Sequence, residues 1–125
     1  MKKIMVIDDN PDFIKMITEY LSDINCSLYS VSEFNDERDI VKKIEEVLPD
    51  LILLDINLGK VYGLKVIECI KRESKISKIP LITITASDYN DIVKRIVERE
   101  SNVFGFYSKL ELDIIKEKIN SLFKG

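Results

Sequence analysis

The chain contains no histidine and no tryptophan. Without histidine, an imidazole general base and imidazole metal ligation are both excluded. Without tryptophan, no indole can report on a site by fluorescence. There are two cysteines, Cys26 and Cys69, too far apart for a C-x-x-C motif. They read as reduced, mostly buried thiols of a cytosolic protein. No apolar run approaches the ~20 residues of a membrane span. Met1-Lys2-Lys3 leads into a short apolar run that stops at Asp8, unlike a signal peptide. Nineteen basic and 22 acidic residues leave a net charge of -3. That balance lacks the basic excess typical of a nucleic-acid-binding module. No linker, low-complexity stretch or internal repeat stands out. The expectation is a cytoplasmic protein that contacts neither nucleic acid nor membrane directly.

The 125 residues suit one domain, 1–125, and a hydrophobic share of 46% is enough for one core. Apolar runs alternate with amphipathic stretches, the pattern of βα units around a parallel sheet. Strands are predicted at about 3–8 (β1), 27–31 (β2), 51–55 (β3), 81–85 (β4) and 103–107 (β5). The unbroken Leu51-Ile52-Leu53-Leu54 marks β3 as a central strand covered on both faces. Helix α1 starts near Pro11, a favoured first helical residue, after a capping Asn10 or Asp9. Its apolar face is Phe13, Ile14, Ile17, Leu21 and Ile24. Helix α2 runs from Asp36 to Val47, with Ile40, Ile44 and Val47 inward, and stops before Pro49. Helix α3 covers 63–73 (Val66, Ile67, Ile70 inward) and α4 covers 89–99 (Ile92, Ile96, Val97 inward). Helix α5 covers 111–123, with Ile114, Ile115, Ile119, Leu122 and Phe123 inward. The fold class is α/β, a (βα)5 doubly wound five-stranded parallel sheet of flavodoxin-like order 2-1-3-4-5, helices on both faces.

In that order the C-terminal strand ends share one edge, where open α/β sheets bind ligands. Asp8 and Asp9 follow β1, Asp55 ends β3, Thr85 ends β4 and Lys109 follows β5. Each has an ordinary explanation alone. An Asp after a strand is commonly a cap or turn former, and Asp9 could cap α1. Lys109 alone would be a solvated lysine, and Thr85 an ordinary strand end. Together, three carboxylates at one edge repel by about one to a few kcal/mol at surface-like dielectric. A hard dication with oxygen ligands removes that cost; Mg2+ typically takes one or two carboxylates plus waters and phosphate oxygens. A carboxylate held near Mg2+ and a lysine can attack an activated phosphoryl group and form an aspartyl phosphate. Asp55 stands alone on the central strand and is the better nucleophile. The Asp8-Asp9 pair is better placed to hold the metal.

These residues resemble the receiver domain of two-component response regulators, over essentially the whole chain and with the chemotaxis-regulator type of fold. The resemblance implies that Asp55 is the phosphoacceptor. It makes Asp9 the direct Mg2+ ligand, with Asp8 acting through water and Asn57 contributing a backbone carbonyl. Thr85, followed by the small Ala86, would contact the phosphoryl oxygens, and Lys109 would pair with the phosphate. Gly63, eight residues after Asp55, fits the family spacing. Phe106 falls at the aromatic switch position, whose side chain moves inward when Thr85 is drawn to the phosphate. Asn57 and Ser87 flank the path of hydrolytic water.

Three positions depart from the pattern. Leu110 stands where the family usually has a cis proline, and a cis non-proline bond costs ~3–4 kcal/mol. Lys109–Leu110 is therefore either strained cis or, as expected, trans, which would alter the turn carrying Lys109. Gly59 replaces a frequent proline and should loosen the loop after Asp55. Phe106 lacks the hydroxyl of a switch tyrosine.

The implied function is a phosphoacceptor switch. A partner histidine kinase, a phosphotransfer protein or a small phosphodonor would load Asp55 in a two-component phosphorelay. The domain would catalyse its own phosphorylation and dephosphorylation without being a turnover enzyme. The output surface would be the α4–β5–α5 face, with Lys94, Arg95, Glu98, Tyr107, Glu111 and Lys116 as exposed candidates. It would serve a downstream effector, an output domain or a second copy. No output domain is expected within these residues, so the chain is either a single-domain regulator or the receiver of a longer protein. The competing readings are a pseudo-receiver docking module that is never phosphorylated, a haloacid-dehalogenase-type phosphatase and a flavodoxin-like carrier. The phosphatase would need Asp-x-Asp on β1, and the carrier a Ser/Thr/Gly-rich loop where Asp8-Asp9-Asn10-Pro11-Asp12 stands.

Overall fold

The computed structural model describes residues 1–86 and 91–124. Five strands form one parallel sheet: β1 (Lys2–Ile7), β2 (Cys26–Val31), β3 (Leu51–Asp55), β4 (Leu81–Thr85) and β5 (Val103–Ser108). Their order is 2-1-3-4-5, as the alternation predicts. The helices are α1 (Pro11–Tyr20), α2 (Glu37–Val47), α3 (Gly63–Arg72), α4 (Asp91–Glu98) and α5 (Leu112–Phe123). Predicted boundaries hold to within a residue or so, except that the start placed at 89 for α4 lies outside the described residues. Asp8 falls just beyond β1 rather than within it. Among the described residues, no helix is long and apolar enough to cross a membrane.

Strand alternation divides the core in two. On β3, Ile52 and Leu54 point to one face, packing with Ile40, Val41 and Ile44 of α2, Val66, Ile67 and Ile70 of α3, and Val97 of α4. Leu51 and Leu53 point to the other, packing with Phe13, Ile17 and Leu21 around α1 and with Ile115 and Ile119 of α5. Every residue of β3 is buried, which is why its sequence shows no polar alternation. Asn10 caps α1: its side chain accepts hydrogen bonds from the Asp12 and Phe13 amides. Asp36 caps α2 through the Asp39 amide. Helix α2 ends at Leu48 in the left-handed region, φ 51°, just before Pro49.

Four inward assignments need correction or refinement. Ile92 and Ile96 are 64% and 43% exposed, while Val93 and Val97 turn to the core. Ile114 is 43% exposed beside the buried Ile115. Both helices carry two adjacent apolar stripes, and periodicity does not say which one meets the sheet. Val41 is buried on α2 where no inward role was expected, while Val47 is only partly buried. Cys26 and Cys69 are free thiols, half-buried rather than buried, on the edge strand β2 and on α3.

The pairing of β4 with β5 slips between Leu81 and Ile82, whose partners are Val103 and Gly105. Phe104 is left as the extra residue and is 43% exposed on the sheet edge. Gly105 accommodates Tyr107, whose ring would lie 2.4 Å from a Cβ at that position. The loop after β3 closes on itself: Asn57 bridges Tyr62, the Leu58 amide donates to the Val61 carbonyl, and Gly59 turns the tip with φ +72°. The freedom expected at Gly59 is thus used for a turn. At the end of this loop, Gly63 opens α3 against the backbone of Ile56, whose Cα would lie 2.6 Å from an added Cβ. Gly63→Ala should therefore destabilise the fold by about 1–3 kcal/mol through overpacking, despite a gain of up to ~1 kcal/mol in helix propensity. Urea unfolding measures the sign; a more stable variant would contradict the close approach.

Candidate functional site

The topology delivers the polar strand ends to one crevice. Strands β1 and β3 are neighbours, yet their connections lead to opposite sides of the sheet, so the space beyond their C-terminal ends stays open. Asp8 and Asp55 are buried there, at 0% and 2% exposure, and Asp9 is exposed at the rim. One carboxylate oxygen from each of the three lies within 4.8 Å of the others. Lys109 enters from the end of β5. Its Nζ is 2.6 Å from Asp8 Oδ2 and 3.1 Å from Asp55 Oδ2.

Backbone donors orient the two buried carboxylates. The Asn10 amide donates to Asp8 Oδ1 at 2.9 Å, and the Asn57 amide donates to Asp55 Oδ1, also at 2.9 Å. Burial pushes the Asp55 carboxyl up to about 6; the Asn57 amide opposes this, the Asp8 charge adds to it, and Lys109 opposes it. Burial alone would depress the Lys109 ammonium, but Asp8 and Asp55 outweigh it and the net shift is upward. Three carboxylates against one ammonium leave two negative charges in excess. Hard oxygen donors with that excess fit a hard dication such as Mg2+, which binds carboxylate oxygens.

The model of the family described as the response regulator receiver domain matches residues 4–119. The chain belongs to this receiver family. Receivers of this family work with histidine kinases and output domains. Over 85 residues, the receiver is 32% identical to the polar-differentiation response regulator DivK of Brucella anthropi, covering 68% of this chain and 67% of DivK. It is also 32% identical over 87 residues to the alkaline phosphatase synthesis transcriptional regulatory protein PhoP of Bacillus subtilis, covering 70% of this chain but only 34% of PhoP. The chain thus spans about a third of that relative. Among solved structures, a signal receiver domain from Colwellia psychrerythraea superposes with a TM-score of 0.80 at 23% identity, covering 100% of both chains. The Mn2+-bound form of response regulator Rcp1 superposes with a TM-score of 0.74 at 26% identity, covering 98% of this chain and 94% of that one.

Of the residues singled out in the sequence, Asp8, Asp9, Asp55 and Lys109 meet in the receiver's crevice. Thr85 ends β4 half-buried, and its carbonyl accepts the Lys109 amide at 2.8 Å, tying the β4 and β5 ends together. Asn57 is exposed beside Asp55. Ser87 lies outside the described residues. Phe106 is 4% exposed and packs with the core on the α2–α3–α4 side, so the inward position expected to follow phosphorylation is already taken in this structure.

Among the described residues every peptide bond is trans, Lys109–Leu110 included. The turn after β5 is closed by hydrogen bonds that the sequence reading missed. The Ser108 amide donates to Glu111 Oε1, the Glu111 amide to the Ser108 carbonyl, and the Leu110 amide to Ser108 Oγ. Ser108-x-x-Glu111 is close to a capping box, and that spacing was the available signal. Phe13, read only as core, carries the Lys109 ammonium 4.4 Å from its ring centroid.

Of the six residues expected to be exposed on the α4–β5–α5 face, Arg95 and Glu98 are exposed; Lys94, Tyr107, Glu111 and Lys116 are half-buried. Lys116 turns to the α1 side instead, bonded to Asp23 at 2.7 Å and lying over the Tyr20 ring.

The raised Asp55 value fixes the sign of a pH effect. Its folded-state value, about 6, lies above the unfolded value of 3.8. Its contribution is therefore fully present below about pH 4 and is lost as pH rises through about 6. Without divalent cations, Asp55→Asn should be more stable than wild type at pH 7, by at most about 3 kcal/mol. The difference should shrink towards pH 4. Chemical denaturation across that range measures it, and a pH-independent difference would contradict the strained carboxylate.

Proposed function

We propose that this receiver is a cytoplasmic phosphoacceptor switch. In this reading Asp55 accepts a phosphoryl group from a phosphohistidine of a partner kinase or phosphotransfer protein, or from a small donor such as acetyl phosphate. The observation that carries the reading is the buried Asp55 carboxylate held 3.1 Å from Lys109 Nζ, with Asp8 and Asp9 oxygens within 4.8 Å. The phosphohistidine lies outside these 125 residues, which contain no histidine.

Asp9, Asp8, Asp55 and the Asn57 carbonyl would hold Mg2+, with Asp9 the direct side-chain ligand and Asp8 acting through water. The Mn2+-bound form of Rcp1 supports a divalent cation in this fold. When bound, the ion supplies positive charge for the phosphoryl oxygens. Asp55 attacks phosphorus with a carboxylate oxygen, forming a P–O bond as the P–N bond to the donor imidazole breaks. The electron pair leaves with the imidazole, which takes a proton from solvent. An ionised carboxylate needs no general base, so positioning and charge neutralisation supply the catalysis. Lys109 leaves its carboxylate partners for the new phosphoryl oxygens, and Thr85 donates its hydroxyl to one of them. Self-catalysed hydrolysis resets the switch, so the domain turns over no external substrate.

Phosphorylation replaces about one negative charge with about two at Asp55. The pull on Thr85 and Lys109 acts on the ends of β4 and β5, which the Lys109-to-Thr85 backbone bond joins. The readout surface is the α4–β5–α5 face, where Ile92, Ile96, Phe104, Leu110 and Ile114 are exposed. A partner or output domain that prefers one state of this face completes the switch.

Intact mass after incubation with acetyl phosphate tests the reading. Wild type should gain one phosphoryl group with Mg2+ and none without it, and Asp55→Ala should gain none. Loss of the Mg2+ requirement would remove the metal from the reading. No gain at all in wild type would favour a docking module that is never phosphorylated.

A further inference from the structure

A lysine ammonium on a flexible stem is a poor fixed charge, because up to ~2 kcal/mol of rotamer freedom works against any single pose. Lys109 is nonetheless confined, with 12% of its side chain exposed. Leu110, the next residue, adds no packing against it, being 90% exposed. Asp8 and Asp55 hold two sides of the ammonium. The other confinement comes from α1: Phe13, 5% exposed, presents its ring with the centroid 4.4 Å from Nζ. That is within the ~6 Å reach of a cation–π attraction, in a setting with little competing water.

Phe13 reaches this position through a closed circuit of contacts. The Phe13 amide donates to Asn10 Oδ1, the Asn10 amide donates to Asp8 Oδ1, and Asp8 Oδ2 meets Lys109 Nζ over the Phe13 ring. The capping residue of α1 thus links the ring to the same carboxylate that the ammonium contacts.

We infer that Phe13 is a positioning residue for Lys109, its ring face holding the ammonium against Asp8 and Asp55 ready for an incoming phosphoryl group. The inference rests on the phosphoacceptor reading above. The ring's contribution is electrostatic as well as steric: its negative face attracts the ammonium, where an aliphatic side chain would only exclude water.

The test uses the full chain with Phe13→Leu and with 4-fluoro- and 3,4,5-trifluorophenylalanine at position 13. Fluorination drains the ring's negative face while nearly preserving its shape. The first readout is the NMR shift of the Lys109 ε-methylene protons, which a ring beneath them moves upfield. The second is the rate of phosphorylation by acetyl phosphate with Mg2+. The ε-protons should be upfield in wild type and near the free-lysine position in Phe13→Leu. The rate should fall stepwise with fluorination, reaching a loss of about 3- to 30-fold in Phe13→Leu. Unshifted ε-protons in wild type would overturn the contact. A phosphorylatable wild type whose rate stays flat across the fluorinated series would overturn the positioning role alone, leaving Phe13 as filler. A wild type that never takes a phosphoryl group would instead overturn the phosphoacceptor reading, and the role with it.

Discussion

The arrangement of the site depends on charge neutralisation at the end of β1 and β3. Two buried carboxylates and a third at the rim share that edge. Two like charges 4 Å apart repel by roughly 4 kcal/mol at an effective dielectric of 20. The Lys109 ammonium relieves that repulsion from one side, touching Asp8 and Asp55 together. The neighbouring features serve the same balance: amides of Asn10 and Asn57 orient the carboxylates, and the Phe13 ring closes the space beside the ammonium. The cost is a strained Asp55, pushed up to about 6 chiefly by burial. That strain is informative, since a carboxylate kept dry beside two others serves no packing purpose.

The same charge links the site to a distant surface. Lys109 belongs to the turn after β5, and its amide is bonded to the Thr85 carbonyl at the end of β4. In the proposed switch, a change in what its ammonium contacts would act on two adjacent strand ends. Beyond them lie α4, described over Asp91–Glu98, and β5 with its extra residue at Phe104. β5 is at the sheet edge and pairs only with β4. Such an edge is easier to rearrange than a centre paired on both sides. The buried Phe106 joins this edge to the core, packed in the cluster that holds Val97 of α4.

Much of the fold was legible because each local signal agreed with the others. The apolar Leu51-Ile52-Leu53-Leu54 run marked a strand covered on both faces, and it is buried throughout. Pro11 after Asn10 marked the start of α1, and Asn10 is its cap. The phase of α4 and α5 was not legible. Ile92 and Val93, or Ile114 and Ile115, are equally apolar neighbours, and only docking on the sheet selects one. Lys116 was read as part of the outer face, but Asp23, 93 residues away in sequence, draws it to the α1 side.

The sequence by itself determined the candidate groups: which residues are acidic, which is the lysine, and that each stands at or just past the C-terminal end of a strand. Composition and alternation carry that information, because hydrophobic periodicity is local. Tertiary structure alone decided how those groups meet. That Lys109 contacts both Asp8 and Asp55, that Phe13 is the surface beneath it, and that Ser108 and Glu111 close the turn all depend on distances across the chain. Those distances are set by sheet register and helix docking, and neither is written in any one segment.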